Sequence, residues 1–349
     1  MDDIIRNVVN EWQGGIRVVG ISPLTPDASL RRYFRIALEG SECVPQTIVA
    51  MVFDSLKCAE VDGGEVLNCD EAYVRLTELL RENSVAVPEL YFRNYEPAIL
   101  LIEDLGDRLL ATALRESVSG DVAGGEVLGV DAMYRRAVDE LVKIHSVVRP
   151  AEHFALSRSF TKSLYVKEMN EFKDFLQEGE QDKEWISALL EGIFESIASE
   201  LMVQENVLSH RDFHSWNLLV DSGGNIRVID FQDALLAPRC YDLVALLNDR
   251  DTDVGLGARR YDMLLKYFCE KTAYGSSFDN DYRMVLLQRD LKVVGRFFKL
   301  ATQRGLVSYK QWIPGTLRRI GVSLNAIVQN VGWDTPFGDL LNLVQTKIK

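Results

Sequence analysis

One short polar motif, followed by two apolar runs, constrains this chain more than any other stretch. His210, Arg211 and Asp212 are followed five positions later by Asn217, and Asp230 comes thirteen positions after Asn217. Between the last two, the apolar runs flank the turn-prone sequence Ser-Gly-Gly-Asn, which predicts two strands joined by a tight turn. Such a hairpin would bring Asn217 and Asp230, at its two ends, close together.

The residue types at these positions suit phosphoryl transfer. An amide oxygen of Asn217 and a carboxylate of Asp230 are the kind of ligands that magnesium prefers. Asp212, on the loop before the hairpin, suits a base that accepts a hydroxyl proton. The alternative is a turn whose Asp and Asn side chains only bond their own backbone. The presence of all three residues at this spacing favours the catalytic interpretation.

Three stretches carry a resemblance to a known family. They read IDFQDALLAPRCYDLVALLND around Asp230, DASLRRYFRI over 27–36 and LQRDLKVVGRFFKLATQRG over 287–305. They are similar to the aminoglycoside phosphotransferase and choline kinase superfamily, and most of all to its anomeric sugar kinases of bacterial cell-wall recycling. Those enzymes phosphorylate N-acetylmuramate and N-acetylglucosamine at C1.

The resemblance implies an α+β, two-lobed, protein-kinase-like fold. Residues 1–104 would form a small lobe with an antiparallel sheet that binds the nucleotide. Residues 105–349 would form a mainly helical lobe with the catalytic loop, the metal site and the acceptor pocket. A chain of 349 residues is long for one core, so two lobes also agree with its length.

The resemblance also implies roles for the motif residues. Asp212 would be the catalytic base, ATP the phosphate donor, and Asn217 and Asp230 the ligands of Mg²⁺. His210 and Asp242 would be structural, with Asp242 bracing the catalytic loop through its backbone or its histidine.

The loop over 27–32 takes the place of the phosphate-covering loop of kinases but contains no glycine. Backbone approach to the phosphates would therefore be less free. Ser29, Arg31 and Arg32 would compensate with a hydroxyl and two guanidinium groups, which match phosphate oxygens. The alternative is that both arginines are solvated charges at a strand edge.

Strands are predicted over 16–21, 33–38 and 47–53, and the third of these departs from the wider superfamily. Ala50 and Met51 occupy the stretch where a phosphate-binding lysine is expected, and Lys57 in the following loop has no assigned role. Glu103 and Leu105 fall at the interlobe hinge, whose backbone would read the edge of adenine. These hinge roles rest on the resemblance alone.

Candidates for the acceptor site lie further along the chain. Arg289, Lys292 and Arg296 share one helix face. That face is either a solvated basic stripe or a cleft wall that receives the lactyl carboxylate of muramic acid. Asp233 is a further acceptor-site candidate, and Trp216 stands where many relatives carry arginine.

Charge and cysteine usage exclude several classes of protein. A formal net charge of -13 argues against a nucleic-acid or anionic-membrane surface. The five cysteines are scattered and never form a CxxC pair, which fits a reducing compartment. Neither a signal peptide nor a transmembrane segment is predicted, so the expected location is cytoplasmic.

Helical periodicity predicts helices over 2–13, 65–83, 160–178, 183–203, 258–272 and 281–303, whereas 116–131 reads as a loop. Another long helix follows that loop, and His145 on its apolar face is expected to be a core histidine with its hydrogen bonds made.

Two other functions are compatible with the same motifs. One is phosphorylation of an aminoglycoside or a choline-like amine, and the other is a non-catalytic kinase-like protein that binds nucleotide or a partner. If the sugar-kinase assignment holds, a nucleotidyltransferase acting on the sugar 1-phosphate is the implied next enzyme, with no need for physical contact.

Overall fold

An antiparallel sheet of five strands forms the N-terminal part of the computed structural model, which describes residues 1–24, 31–40, 44–53, 68–119, 129–147, 153–250 and 256–348. The strand order is β1-β2-β3-β5-β4. The strands are β1 (Arg17–Leu24), β2 (Arg32–Glu39), β3 (Thr47–Val52), β4 (Leu90–Tyr95) and β5 (Ala98–Glu103).

Both faces of this sheet are buried, which explains why β3 is a continuous apolar run. Helix α1 (Asp2–Trp12) packs on one face, where Ile48 and Ala50 of β3 lie. Val49 and Met51 point to the other face, which joins the main core together with helix α2 (Cys69–Glu82). The sheet and these two helices together make up the N-terminal part of the molecule.

The remainder is mainly helical, with two short antiparallel strand pairs. Strands β6 (Asn206–Ser209) and β9 (Leu235–Pro238) pair, as do β7 (Leu218–Val220) and β8 (Ile226–Val228). A 3₁₀ helix covers Val307–Trp312. The helices are α3 (Leu110–Ser119), α4 (Val130–His145), α5 (Phe154–Ser157), α6 (Lys162–Met169), α7 (Glu171–Leu176), α8 (Lys183–Met202), α9 (Tyr241–Leu247), α10 (Gly257–Thr272), α11 (Phe278–Gln303), α12 (Ile313–Val331) and α13 (Pro336–Ile348).

Three local predictions need correction. The segment 160–178 is two helices broken at Asn170 rather than one. Residues 116–119, expected in a loop, complete α3, and 120–128 lie outside the described residues. His145 does pack in the core against Phe268, but neither ring nitrogen has a hydrogen-bond partner among the described residues. Burial lowers the pKa of His145 to about 3, so the ring is neutral.

None of the described helices is both long and apolar enough to cross a membrane.

Helix α11 runs through the centre of the helical part, and a glycine allows its closest crossing. At Gly295, an added Cβ would overlap the backbone of Glu171 and Phe172 at the start of α7. The break at Asn170 therefore coincides with the place where α7 begins against α11. This crossing positions α6 and α11 side by side.

Replacing this glycine tests the crossing. Gly295→Ala should lower the free energy of unfolding by about 2 kcal/mol or more, because overpacking forces the two helices apart. Gly192→Ala in α8 is the matched control, since nothing lies within 4 Å of its added Cβ. That variant should be about 0.5–1 kcal/mol more stable than the wild type. Urea denaturation measures both, and an unchanged stability of Gly295→Ala would contradict the close approach.

Candidate active site

A buried carboxylate holds the loop that carries Asp212. The side chain of Asp242, at the start of α9, accepts hydrogen bonds from the backbone N–H of His210 at 2.6 Å and of Arg211 at 2.9 Å. Arg211 has a φ of 75°, a left-handed conformation that a non-glycine residue rarely adopts. The two hydrogen bonds hold the backbone in this conformation immediately before Asp212.

His210 ties the same loop to the hairpin. Its Nδ1 accepts from the backbone N–H of Asp212 at 3.3 Å, so the proton resides on Nε2. Nε2 then donates to the carbonyl oxygen of Ile229 at 2.8 Å. Because Ile229 directly precedes Asp230, this histidine fixes the catalytic loop relative to the end of β8.

The hairpin delivers Asn217 and Asp230 to neighbouring positions. Asn217 directly precedes β7 and Asp230 follows β8 after one residue, and the N–H of Ile229 donates to the carbonyl oxygen of Asn217 at 3.1 Å. The side-chain Nδ2 of Asn217 donates to the carbonyl oxygen of Asp212 at 2.9 Å. This bond orients the amide so that its Oδ1 stays available for a ligand.

Asp230 also has a left-handed backbone, with a φ of 63°. Its Oδ1 accepts from Nε2 of Gln232 at 2.9 Å and from Nη1 of Arg31 at 3.2 Å. The next residue, Phe231, is buried and stacks on Tyr73 of α2, with ring centroids 4.8 Å apart. The conformation at Asp230 is therefore anchored to the N-terminal part of the molecule.

The donor set of Asn217 and Asp230 fits a hard cation. Both side chains offer oxygen, and magnesium completes its shell with water and phosphate oxygens rather than with a full protein cage. No group of three or more His, Cys, Asp or Glu side chains that could hold a metal occurs within the described parts of the chain.

Positive charge surrounds Asp212. Burial acts to raise the pKa of its carboxyl, but nearby cations, with Lys292 foremost, outweigh burial and hold the pKa well below its ordinary value. The carboxylate is therefore ionised at neutral pH and is able to accept a hydrogen bond from an incoming hydroxyl.

The cations are organised by Glu168, a residue that the sequence reasoning missed. Its carboxylate accepts from Arg211 at 3.0 Å, from Lys292 at 2.9 Å and from Gln288 at 3.1 Å. Burial acts to raise the pKa of Glu168, but Lys292 and Arg211 lower it overall. A lone glutamate in the short helix α6 offers no pattern from which this role could be read.

The three cations predicted to share one face of α11 have different environments. Arg289 has a relative exposure of 6% and the Lys292 side chain 14%, so the solvated-stripe interpretation is wrong for both. Arg296 is half exposed and pairs with Glu171 at 3.3 Å. Among the described residues, Arg289 has no hydrogen bond or ion pair, although its charge acts on Asp212.

A second buried carboxylate holds the residues that follow Asp212. Ser215 donates to Oδ2 of Asp249 at 2.6 Å. Beside it, Trp216 lies under the guanidinium groups of Arg250 and Arg115, at 4.4 Å and 5.2 Å from the ring centroid. The tryptophan therefore belongs to an arginine and aromatic cluster.

The predicted hinge is fastened by ion pairs. Glu103 at the end of β5 accepts two hydrogen bonds from Arg227 of β8, at 3.0 Å and 2.6 Å. Arg35 of β2 donates to both Asp104 and Asp107. The hinge residues form part of the wall of a cavity of about 1100 Å³. The complete wall consists of Glu103, Asp104, Leu105, Gly106, Asp107, Arg108, Gly129, Met133, Arg136, Val220, Asp221, Ser222, Gly223, Gly224 and Arg227.

The remaining residues that the sequence analysis singled out lie at the following positions. Ser29 and Lys57 lie outside the described residues. Arg32 is exposed at the start of β2. Asp233 accepts a hydrogen bond of 3.4 Å from Gln232, next to Asp230.

The sequence of this chain is similar to those of known phosphotransferases. Residues 21–277 match the family model described as the phosphotransferase enzyme family. An N-acetylmuramate/N-acetylglucosamine kinase of Neisseria meningitidis serogroup B is 27% identical over 312 residues, which cover 84% of this chain and 83% of that protein.

Solved structures show the same fold at low identity. A choline kinase of Streptococcus pneumoniae superposes with a TM-score of 0.60 at 12% identity, covering 92% of this chain and 99% of that one. A spectinomycin phosphotransferase, solved with ADP and spectinomycin, superposes with a TM-score of 0.60 at 15% identity, covering 89% and 93%. The expected fold class, a five-stranded antiparallel sheet followed by a mainly helical part, is thereby confirmed.

Removing one cation tests the electrostatics of the site. Lys292→Met should raise the pKa of the Asp212 carboxyl, because the ionised form loses the neighbouring charge that contributes most to its stabilisation. Carbon-13 NMR titration of the aspartate carboxyls measures this shift. Lys299→Met, on the same helix and paired with Glu171, is the matched control and should leave the pKa of Asp212 unchanged. Equal titration curves in both variants would contradict the assignment.

Proposed function

Because the chain belongs to the phosphotransferase enzyme family, we propose that it transfers the γ-phosphate of ATP to the anomeric C1 hydroxyl of N-acetylmuramate or N-acetylglucosamine. The observation that carries this proposal is the ionised, cation-surrounded Asp212 on a loop fastened to the hairpin of Asn217 and Asp230. The N-acetylmuramate/N-acetylglucosamine kinase of Neisseria meningitidis, which matches 84% of this chain, supports the choice of acceptor.

In the proposed reaction, Asp212 orients the C1 hydroxyl. The hydroxyl oxygen bonds to the γ-phosphorus as the bond to the β-phosphate bridging oxygen breaks, and the proton passes to Asp212. A hemiacetal hydroxyl is more acidic than an ordinary alcohol, so a carboxylate is an adequate base. Most of the rate acceleration would come from positioning and from charge stabilisation.

Asn217 and Asp230 would hold magnesium, which supplies charge neutralisation at the phosphates when it is bound. We propose that residues 1–104 form the lobe that binds the nucleotide and that residues 105–349 form the catalytic lobe. Glu103 and Leu105 lie at the junction between them, where their backbone would face adenine. The reaction is proposed to be cytoplasmic, and its sugar 1-phosphate product would be consumed by a nucleotidyltransferase.

Buried positive charge near Asp212 supports an acceptor with a carboxylate. Lys292 is already engaged by Glu168, whereas Arg289 has no ion pair with any described residue. We therefore assign the lactyl carboxylate of N-acetylmuramate to Arg289, since a guanidinium matches a carboxylate with two parallel hydrogen bonds. A cationic acceptor such as choline or an aminoglycoside would meet repulsion at this place.

Phosphorus NMR tests the proposed reaction. The protein, ATP and magnesium are incubated separately with N-acetylmuramate, N-acetylglucosamine, spectinomycin and choline. A new sugar 1-phosphate signal is expected with one or both amino sugars, and it should disappear with Asp212→Asn. Phosphorylation of spectinomycin or choline alone would refute the sugar assignment. Absence of turnover with every acceptor, together with normal ATP binding, would instead favour a non-catalytic protein.

The role of Arg289 is tested by comparing two acceptors that differ in the lactyl group. Arg289→Met should lower kcat/KM for N-acetylmuramate by about tenfold or more relative to that for N-acetylglucosamine, because a charge-assisted hydrogen bond is lost. Arg289→Lys, which keeps the charge, should recover part of the lost kcat/KM for N-acetylmuramate. An equal loss for both sugars would show that the arginine does not read the carboxylate.

A further inference from the structure

The third strand of the sheet has no cation to offer to a nucleotide. Ala50 is completely buried against α1, and Met51 has an exposure of 2% within the core on the other face. A kinase of this kind still needs positive charge at the phosphates. In an acidic protein, that charge has to come from a few placed side chains.

A neighbouring strand places an arginine on the appropriate face. Tyr33 of β2 is the cross-strand partner of Met51 and packs against the same core. Arg31 precedes Tyr33 by two residues, and its Nη1 lies 3.4 Å from the Tyr33 hydroxyl. The guanidinium therefore extends from the same face of the sheet as Met51, one strand away from it.

This arginine crosses to the metal-site carboxylate. Its Nη1 lies 3.2 Å from Oδ1 of Asp230, and the side chains have relative exposures of 17% and 43%. Gln232 donates to the same oxygen at 2.9 Å. Oδ1 of Asp230 already accepts hydrogen bonds from both side chains. A metal ion that binds Asp230 through this oxygen therefore has to displace at least one of the two donors.

We propose that Arg31 takes the place of the strand lysine as the phosphate-binding cation, and that its ion pair with Asp230 holds it ready until a divalent metal takes over that carboxylate. The proposal rests on the proposed function. Once released, the guanidinium donates to nucleotide phosphate oxygens, which accept it in a bidentate geometry. Metal and nucleotide binding are thereby coupled through one side chain, which competes with the metal for Asp230 and attracts the phosphates.

The proposal predicts two effects of opposite sign from a single substitution. Without nucleotide, Arg31→Ala should bind Mn²⁺ several-fold more tightly than the wild type, because Asp230 loses its competing cation. The same variant should bind Mn²⁺-ATP about tenfold or more weakly, because a charge-assisted contact to phosphate is lost. Its affinity for adenosine, which has no phosphate, should stay within about twofold. Electron paramagnetic resonance measures free Mn²⁺, and calorimetry measures the binding of Mn²⁺-ATP and of adenosine.

Two further variants complete the experiment. Arg31→Lys keeps the charge and should recover part of the affinity for Mn²⁺-ATP. Arg17→Ala removes an arginine from the outer strand of the same sheet, where its side chain is 70% exposed, and should change none of the three affinities. The proposed move of Arg31 from Asp230 to the phosphates is refuted if Arg31→Ala weakens the binding of Mn²⁺ and of Mn²⁺-ATP alike, or if it changes neither. Either result refutes it even when the wild type makes a sugar phosphate, in which case the proposed function still stands. If the wild type itself fails to bind Mn²⁺-ATP, the metal site and this proposal fall together.

Discussion

The organisation of the site depends on one buried carboxylate and two backbone amides. Asp242 is fully buried, and its two oxygens accept from the N–H groups of His210 and Arg211. Without these acceptors, the N–H of His210 would lack a partner in the interior, at a cost of about 1–3 kcal/mol. The N–H of Arg211 would keep only its long contact of 3.4 Å with the Ser209 hydroxyl. The bonds also stabilise the left-handed backbone at Arg211, which turns the chain so that Asp212 faces the cations.

The electrostatics of the site follow from how that turn is packed. Arg211, on the catalytic loop, and Lys292, on α11, meet at Glu168 of α6. The carboxylate of Glu168 thus holds two cations beside the carboxylate of Asp212. Their positive charge keeps Asp212 ionised despite its burial. Gly295 belongs to the same arrangement, because the close crossing of α11 and α7 sets how near α11 comes to this part of the chain.

Contacts between the sheet and the helical part converge on the ends of the hairpin. Arg227 of β8 pairs with Glu103 of β5, Phe231 stacks on Tyr73 of α2, and Arg31 pairs with Asp230. Each contact joins one residue from the predicted small lobe to one from the hairpin or its end. The position of Asp230 therefore depends on the position of the sheet, and the proposed link between nucleotide and metal binding rests on this dependence.

The sequence alone determined the five strands of the N-terminal sheet, the hairpin and most helices, because alternation, turn residues and helical period are local. It did not determine β6 and β9, which pair with each other from either side of the hairpin. Sequence spacing did not reveal the break at Asn170, because this break coincides with the crossing of α7 and α11, and Gly295 of α11 is remote in the sequence. Nor did it reveal Glu168, whose partner Lys292 lies 124 residues away, or the pair of Arg31 and Asp230, separated by 199 residues. Such contacts follow from how remote elements pack, and only the tertiary structure decided which charges are buried together.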